Sequence, residues 1–261
     1  MSGLLEEVQA AHGGLERWRA VTALTVHGRF GGLLRTRFPP GNRMANFTAR
    51  LLMTEQHTVL HRFPRDHQRA VFDHGDVRIE TNDGELIAAR PNARNGFTGI
   101  GAVRRTVHWD ALDAAYFAGY AFWNYLSTPL LLTRDDITVT EASDWLEAGT
   151  PWRRLQASFP AHIHTHSPQQ TFYVDHVGFI RRHDYIAQPV GTWARAAHYC
   201  DQHRQFGGLV FPHSPTGATP EVYPIALCPV RRSSHSTSTI SRSRRDSWTI
   251  SARSRRSVLD Q

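Results

Sequence analysis

One segment constrains the fold of this chain more than any other. Residues 108–132, "HWDALDAAYFAGYAFWNYLSTPLLL", hold seven aromatic rings and only two charged side chains, Asp110 and Asp113. Asp110 can cap a helix, and small residues alternate with rings over 111–126 until Pro129 ends the pattern. A helix that is apolar on almost every side must be buried in protein or in lipid.

A membrane span is the first alternative for this segment. Residues 112–132 are long enough to cross a bilayer, and only Asp113 among them is charged. Three Tyr, an Asn, a Ser and a Pro interrupt the apolar run, and strand-like segments flank it on both sides. We therefore predict a helix buried in protein and no membrane span.

The rest of the chain to about residue 215 has the pattern of antiparallel strands that follow an N-terminal helix. Short stretches rich in Val, Ile, Thr and Phe are separated by Gly, Pro, Asn and Asp. The predicted strands lie at 23–30, 46–53, 57–63, 69–73, 77–81, 86–90, 136–142, 152–159, 170–175 and 179–187, with two more around Gly207 and Gly208. A sheet of that size must curl to cover its apolar face. The predicted class is mostly β with α: a curved antiparallel sheet, or half-barrel, with the aromatic helix in its concave face.

The aromatic helix supplies most of the candidate ligand contacts. Tyr116, Tyr120 and Trp123 fall on one helical face, with Asn124 beside them. A concave sheet around such a face could hold a hydrophobic molecule whose polar end meets the Tyr hydroxyls. The predicted ligand-binding residues are Trp109, Tyr116, Tyr120, Trp123, Asn124 and His166. The alternative is that the aromatic stripe is only core.

A second candidate site is the run "HIHTH". His162, His164 and His166 alternate, so on an extended strand all three imidazoles would project to one side, as ligands of zinc, copper or iron can. No carboxylate or Cys stands nearby at a fixed spacing, and loop or solvent-facing histidines are the alternative. We predict no metal and no cofactor.

Catalytic motifs for nucleophiles, phosphates and zinc are absent from the sequence. An enzyme on the same scaffold, such as an isomerase, cyclase or hydrolase, is still an alternative to a binding protein. It would use His166 with Asp113 or Tyr120 as acid and base. The Gly-rich stretch 96–105 is predicted to be a mobile loop.

The charge of this chain is concentrated in its last residues. The net charge is +7, of which +6 arises after residue 228, and every basic residue is Arg. We predict that residues 216–261 form a disordered Arg/Ser-rich tail outside a single domain at 1–215. An RNA-binding arm and a final strand lost to a frameshift are alternatives for this tail, although nucleic-acid binding is not expected of the balanced body.

The remaining composition indicates the compartment. Cys200 and Cys228 are too few for a disulfide framework. The N-terminal residues include Glu6 and Glu7 where a signal peptide would have basic residues and an apolar core, so a bacterial protein in the cytoplasm is expected.

The motifs also carry a resemblance. "AHGGLERWRAV", "AYFAGYAFWNYL", "THSPQQTFYVD" and "AHYCDQHRQFGGLVFPH", in this order over residues 3–215, resemble a group of bacterial proteins. More distantly, the arrangement is similar to the lipoprotein-carrier (LolA-like) fold, in which a curved half-barrel lined by helices holds acyl chains. The resemblance implies a cavity for a hydrophobic small molecule. It implies fold more strongly than function.

Overall fold

A computed structural model describes residues 3–28, 47–105, 108–212 and 249–254 of the chain. The helices are α1 (Leu4–Ala11), α2 (Leu15–Ala20), α3 (Gly99–Arg105) and α4 (Ala111–Leu131), with a short 3-10 helix at Ala93–Phe97. Within these ranges, no helix combines the length and the apolar character that a bilayer crossing needs.

The first sheet is a run of antiparallel strands in nearly sequential order. Its strands are β1 (Val21–Gly28), β2 (Phe47–Leu52), β3 (His57–His61), β4 (Gln68–Asp73), β5 (Asp76–Thr81), β6 (Leu86–Arg90) and, beside β1, β14 (Thr249–Ser254). Burial alternates along β2 and β3, as expected when one face of a sheet covers a core.

The second sheet continues the antiparallel pattern after the helices. Its strands are β7 (Thr138–Glu147), β8 (Thr150–Ser158), β9 (Gln169–Val174), β10 (Ile180–Ile186) and β11 (Arg195–Tyr199), hydrogen-bonded in that order. A separate hairpin follows, formed by β12 (Arg204–Phe206) and β13 (Leu209–Phe211). The fold is therefore mostly β, an open and unclosed antiparallel half-barrel, which confirms the predicted class.

Three details differ from the sequence-based predictions. The strands form two sheets and a hairpin, because the helices between β6 and β7 leave those strands at sheet edges. The stretch 96–105, predicted to be a mobile loop, contains the end of the 3-10 helix and α3. Helix α4 continues to Leu131 with Pro129 inside it, because burial of Leu131 outweighs the backbone hydrogen bond that Pro cannot donate.

Part of the predicted disordered tail is ordered. Residues 249–254 form β14, which pairs antiparallel with β1. The predicted domain boundary after residue 215, Cys228 and the stretch proposed as a frameshifted strand lie outside the described residues. The RNA-binding and frameshift interpretations of the tail therefore stay predictions.

Helix α4 begins as the sequence predicts and lies on the first sheet. The Asp110 carboxylate accepts from the backbone N–H of Asp113, and the Asp113 carboxylate accepts from the backbone of Asp110. The helix packs on β3, β4 and β5. A Cβ at Gly119 would collide with Phe72, so the absence of a side chain there permits this close approach, and Thr58 donates to the Gly119 carbonyl.

Candidate functional site

The predicted ligand residues in and before α4 lie in a filled core. Trp109, Tyr116 and Tyr120 are fully buried, and Trp123 is 1% exposed. The Tyr116 ring contacts that of Tyr120 and that of Phe72 in the first sheet; the Tyr116 and Phe72 ring centroids are 5.9 Å apart in an edge-on arrangement. This packing matches the core alternative for the aromatic stripe.

The polar atoms of these aromatic residues have protein partners. The Trp123 indole N–H donates to the Leu52 carbonyl at 2.8 Å, and the Trp109 indole N–H donates to the Arg105 carbonyl at 2.8 Å. The side-chain amide of Asn124 donates to a carbonyl within α4 and to one in the histidine run. These bonds fix the aromatic cluster to its surroundings.

The three alternating histidines do not face one side, which corrects the prediction from their spacing. They lie in the loop between β8 and β9, so the alternation of a strand does not apply. His162 is exposed beside Asp136, with its Nε2 atom 2.9 Å from a carboxylate oxygen, whereas His164 and His166 bond to tyrosines of α4. Among the described residues, no group of three or more His, Cys, Asp or Glu is arranged to hold a metal.

His166 is enclosed by tyrosine hydroxyls. Its Nδ1 lies 3.0 Å from the Tyr120 hydroxyl and its Nε2 lies 2.6 Å from the Tyr125 hydroxyl, which in turn is 2.6 Å from that of Tyr185. Burial holds the pKa of His166 well below its ordinary value, so the imidazole is neutral. One ring nitrogen then donates and the other accepts, and both are engaged by phenols.

The predicted acid–base pair of His166 and Asp113 is not assembled. Asp113 is fully buried at the start of α4, where Arg90, Arg104 and Arg105 all donate to its carboxylate. Its position in the capping motif and its three guanidinium partners give this carboxylate a structural role. Its contacts and those of His166 are separate.

A cavity lies beside the C-terminal half of α4. Its cavity volume is about 80 Å³. Its walls come from α4, β1, β2, the second sheet and the β12–β13 hairpin. The apolar lining residues are Val26, Phe47, Phe122, Leu126, Pro129, Phe172, Ile180, Phe206, Val210, Phe211 and Pro212.

Seven further residues carry polar atoms into this lining. They are His12, Tyr125, Thr128, His183, His198, Cys200 and His203. None of the eighteen described lining residues is Arg, Asp or Glu, and none belongs to the predicted ligand set. The cavity therefore borders a different set of α4 residues from the one that the sequence analysis selected, and ligand contact by the selected residues stays a prediction.

The titratable groups considered below, all of them described residues of the cavity wall, are uncharged near pH 7. Burial lowers the pKa of His198 and of His203 to about 4 and holds that of His183 well below its ordinary value. Burial also raises the pKa of the Cys200 thiol to about 12 and that of the Tyr125 hydroxyl well above 10. Each group thus keeps its uncharged form.

Protein partners satisfy several of the polar groups in the cavity wall. His12 donates from Nδ1 to the Val8 carbonyl, and Thr128 donates to a carbonyl one turn back in α4. The Nε2 atom of His183 bonds to the Gln170 amide oxygen, since the amide nitrogen of Gln170 donates elsewhere. That bond places the His183 proton on Nε2.

His198 and His203 differ from these groups, because the ring nitrogens of both have no partner among the described protein atoms. The more buried of the two is His198. Its side chain is on β11, where burial alternates, and the residue is 4% exposed. Neither of its ring nitrogens has a hydrogen-bond partner among the described protein atoms. Its ring meets the Tyr125 ring edge-on, with centroids 4.8 Å apart. A buried polar group in this state costs stability, so it calls for an explanation.

The sequence analysis missed this site although one signal for it was present. His183 and His198 both occupy inward positions of strands that alternate in burial. Inward histidines on neighbouring strands indicate a polar spot inside an apolar interior. Whether such a histidine has a partner depends on tertiary neighbours, which periodicity does not specify.

Comparison with known proteins gives matches by structure alone. No protein-family profile matches the chain, and no curated protein matches it in sequence. It is similar to a LolA superfamily protein from Nitrosomonas europaea (9% identity, TM-score 0.41, 80% of each chain covered). It is also similar to a putative outer membrane lipoprotein-sorting protein domain from Vibrio parahaemolyticus (10% identity, TM-score 0.37, 80% of this chain and 81% of the other).

A third similar structure is a DUF1329 family protein from Desulfovibrio piger, at 9% identity and a TM-score of 0.38 over 81% of this chain and 84% of the other. The more distant resemblance in the sequence, to the LolA-like fold, is thus also found by structure. At these identities and TM-scores the likeness concerns the fold and says nothing about a ligand.

Proposed function

We propose that the protein binds an apolar small molecule, lipid-like or polyketide-like, in the cavity beside the C-terminal half of α4. One observation carries the proposal: eighteen described residues, most of them from both sheets, the hairpin and the helix, line a recess that is mostly apolar, and none of them is Arg, Asp or Glu. Small-molecule sites are typically concave and apolar with a few placed polar groups.

The physical driving force is the removal of apolar surface from water. Burying about 200 Å² of ligand surface gains about 5 kcal/mol at the usual coefficient, before the cost of immobilising the ligand. Rings supply much of the wall, including Phe122, which stacks on Phe47 with centroids 4.5 Å apart. Such a wall accommodates an aliphatic chain or a flat ring system.

The test is the fluorescence of N-phenylnaphthylamine, a dye that brightens in apolar sites, titrated with the full chain. Leu126→Trp and Val210→Trp each place a larger side chain in the cavity wall, and each is expected to weaken dye binding by about tenfold or more. Two positions are used so that poor folding of one variant does not decide the result.

The matched control is Leu146→Trp, because Leu146 is 68% exposed on β7 and does not line the cavity. It is expected to bind the dye as the unmodified protein does. Equal affinity in all four proteins, or no dye binding by the unmodified protein, would contradict the proposal.

A further inference from the structure

Two histidines of the cavity wall, His198 and His203, have ring nitrogens without a hydrogen-bond partner among the described protein atoms. His198 is 4% exposed, lines the cavity and has no hydrogen bond to either ring nitrogen from the described protein atoms. The neighbouring His12, Thr128 and His183 each bond to the protein. His198 is thus the nearly fully buried side chain of this wall with hydrogen-bonding capacity to spare, whereas His203 is partly exposed.

A neutral imidazole offers one N–H donor and one acceptor nitrogen. A hydroxyl group can donate to that nitrogen or accept from that N–H, so an alcohol matches His198 in either tautomer. Ring contacts with Tyr125 position the imidazole, since the two rings meet at 84°. The polar contact therefore has a fixed place in an otherwise apolar wall.

Charged head groups do not suit this wall. None of the described lining residues is Arg, Asp or Glu, so a carboxylate or an ammonium would enter without a counter-ion. Taking an unpaired charge from water into an apolar site costs several kcal/mol, whereas a hydroxyl that finds a partner loses little.

We propose that His198 recognises the hydroxyl group of a neutral, hydroxylated apolar molecule held in the cavity. This inference rests on the proposed function and adds the class of head group that the site selects. A free long-chain alcohol and the hydroxyl of a larger neutral lipid share this chemistry.

The test compares ligands that have the same decyl chain and different ends. Decanol, chlorodecane, decanoate and decylammonium are each titrated as competitors of N-phenylnaphthylamine at neutral pH. Decanol is expected to bind about tenfold or more tightly than decanoate or decylammonium, because the wall supplies no counter-ion. A monoester of dodecanediol is compared with decanol in the same assay. Tighter binding of the monoester indicates a larger hydroxylated lipid as the ligand, and tighter binding of decanol indicates a free alcohol.

Variants at position 198 identify the residue that selects the hydroxyl. His198→Phe should weaken decanol binding about fivefold and leave chlorodecane binding unchanged, and His198→Gln should recover part of the loss. His162→Phe makes the same substitution at the exposed histidine that contacts Asp136, and decanol should bind to it normally.

Two results would overturn the inference. One is that decanoate or decylammonium binds as tightly as decanol. The other is that His198→Phe weakens all four decyl ligands equally. In either case the proposed function would stand if the unmodified protein binds the dye and Leu126→Trp weakens that binding. If the unmodified protein does not bind the dye, both the proposed function and this inference are contradicted.

Discussion

The two halves of α4 have similar neighbouring side chains but different surroundings: one half lies in a hydrogen-bonded core and the other borders a cavity. Around its N-terminal half, tyrosines and histidines pair with one another, as Tyr116 does with His164 and Tyr120 with His166. Around its C-terminal half, an apolar wall surrounds His198, whose ring nitrogens have no partner among the described protein atoms. The comparison teaches that a complete set of hydrogen bonds marks a core, whereas an incomplete set beside open space marks a candidate site.

The largest expected difference between the halves concerns packing. Phe117 is 1% exposed and contacts the Trp109 and His166 rings, whereas Phe122 lines the cavity. Phe117→Ala should lower the free energy of unfolding by about 3–5 kcal/mol, and Phe122→Ala by about half as much, because one side of its ring already faces open space. Urea denaturation measures both values. If Phe122→Ala lowers the free energy of unfolding as much as Phe117→Ala does, the two halves do not differ in packing.

A second prediction is that a His→Phe substitution changes the free energy of unfolding in opposite directions in the two halves. His198→Phe should raise the free energy of unfolding of the ligand-free protein by about 1–3 kcal/mol, because it replaces an unpartnered buried polar group with an apolar ring. His166→Phe should lower that free energy by a similar amount, because it leaves the hydroxyls of Tyr120 and Tyr125 without their imidazole partner.

Thermal denaturation of both variants measures these changes. Tyr120→Phe is the control for the N-terminal half, since it removes only one phenol from the same network. Destabilisation by His198→Phe would mean that the protein relies on this imidazole for its own structure, which the account does not allow.

A third prediction concerns the dependence of stability on pH. Burial lowers the folded-state pKa of His198 to about 4, below an unfolded value of about 6.5. The unfolded chain therefore binds the proton first, so stability is fully present above pH 6.5 and falls as the pH drops from about 6.5 to about 4. Each such histidine contributes a slope of about 1.4 kcal/mol per pH unit in that window.

Denaturation at a series of pH values gives the free energy of unfolding as a function of pH. Between pH 4 and 6.5, that free energy should change less steeply with pH for His198→Phe than for the unmodified protein, by about 1.4 kcal/mol per pH unit. His162→Phe, at an exposed position, should not change the slope. An unchanged slope in His198→Phe would show that this imidazole is not buried as described.

The sequence predicted much of the fold for clear physical reasons. The alternating strands, the helix with Asp110 at its N-cap and the need to bury that helix all follow from local pattern. The split into two sheets does not follow from local pattern, because the pairing of β6 with β7 depends on how the helices between them pack. The last turn of α4 was missed because Pro129 is a local stop signal that burial of Leu131 overrides.

The candidate site was harder to predict than the fold. Helix α4 carries rings on nearly every side, so its pattern does not reveal which part meets a filled core and which meets a cavity. Tyr116 and Tyr120 were selected for their spacing, whereas the cavity borders Phe122, Tyr125 and Leu126. Spacing identifies which residues share a helical face, but the shape of the surrounding sheets decides where space remains.

The most direct test of the account observes the two imidazoles as ligand is added. Magnetic resonance of isotope-labelled histidine ring nitrogens, recorded during a titration with decanol, reports the hydrogen bonding of each ring. The account predicts that the His198 nitrogen signals shift to saturation while those of His166 stay in place. Movement of the His166 signals with no change at His198 would contradict it.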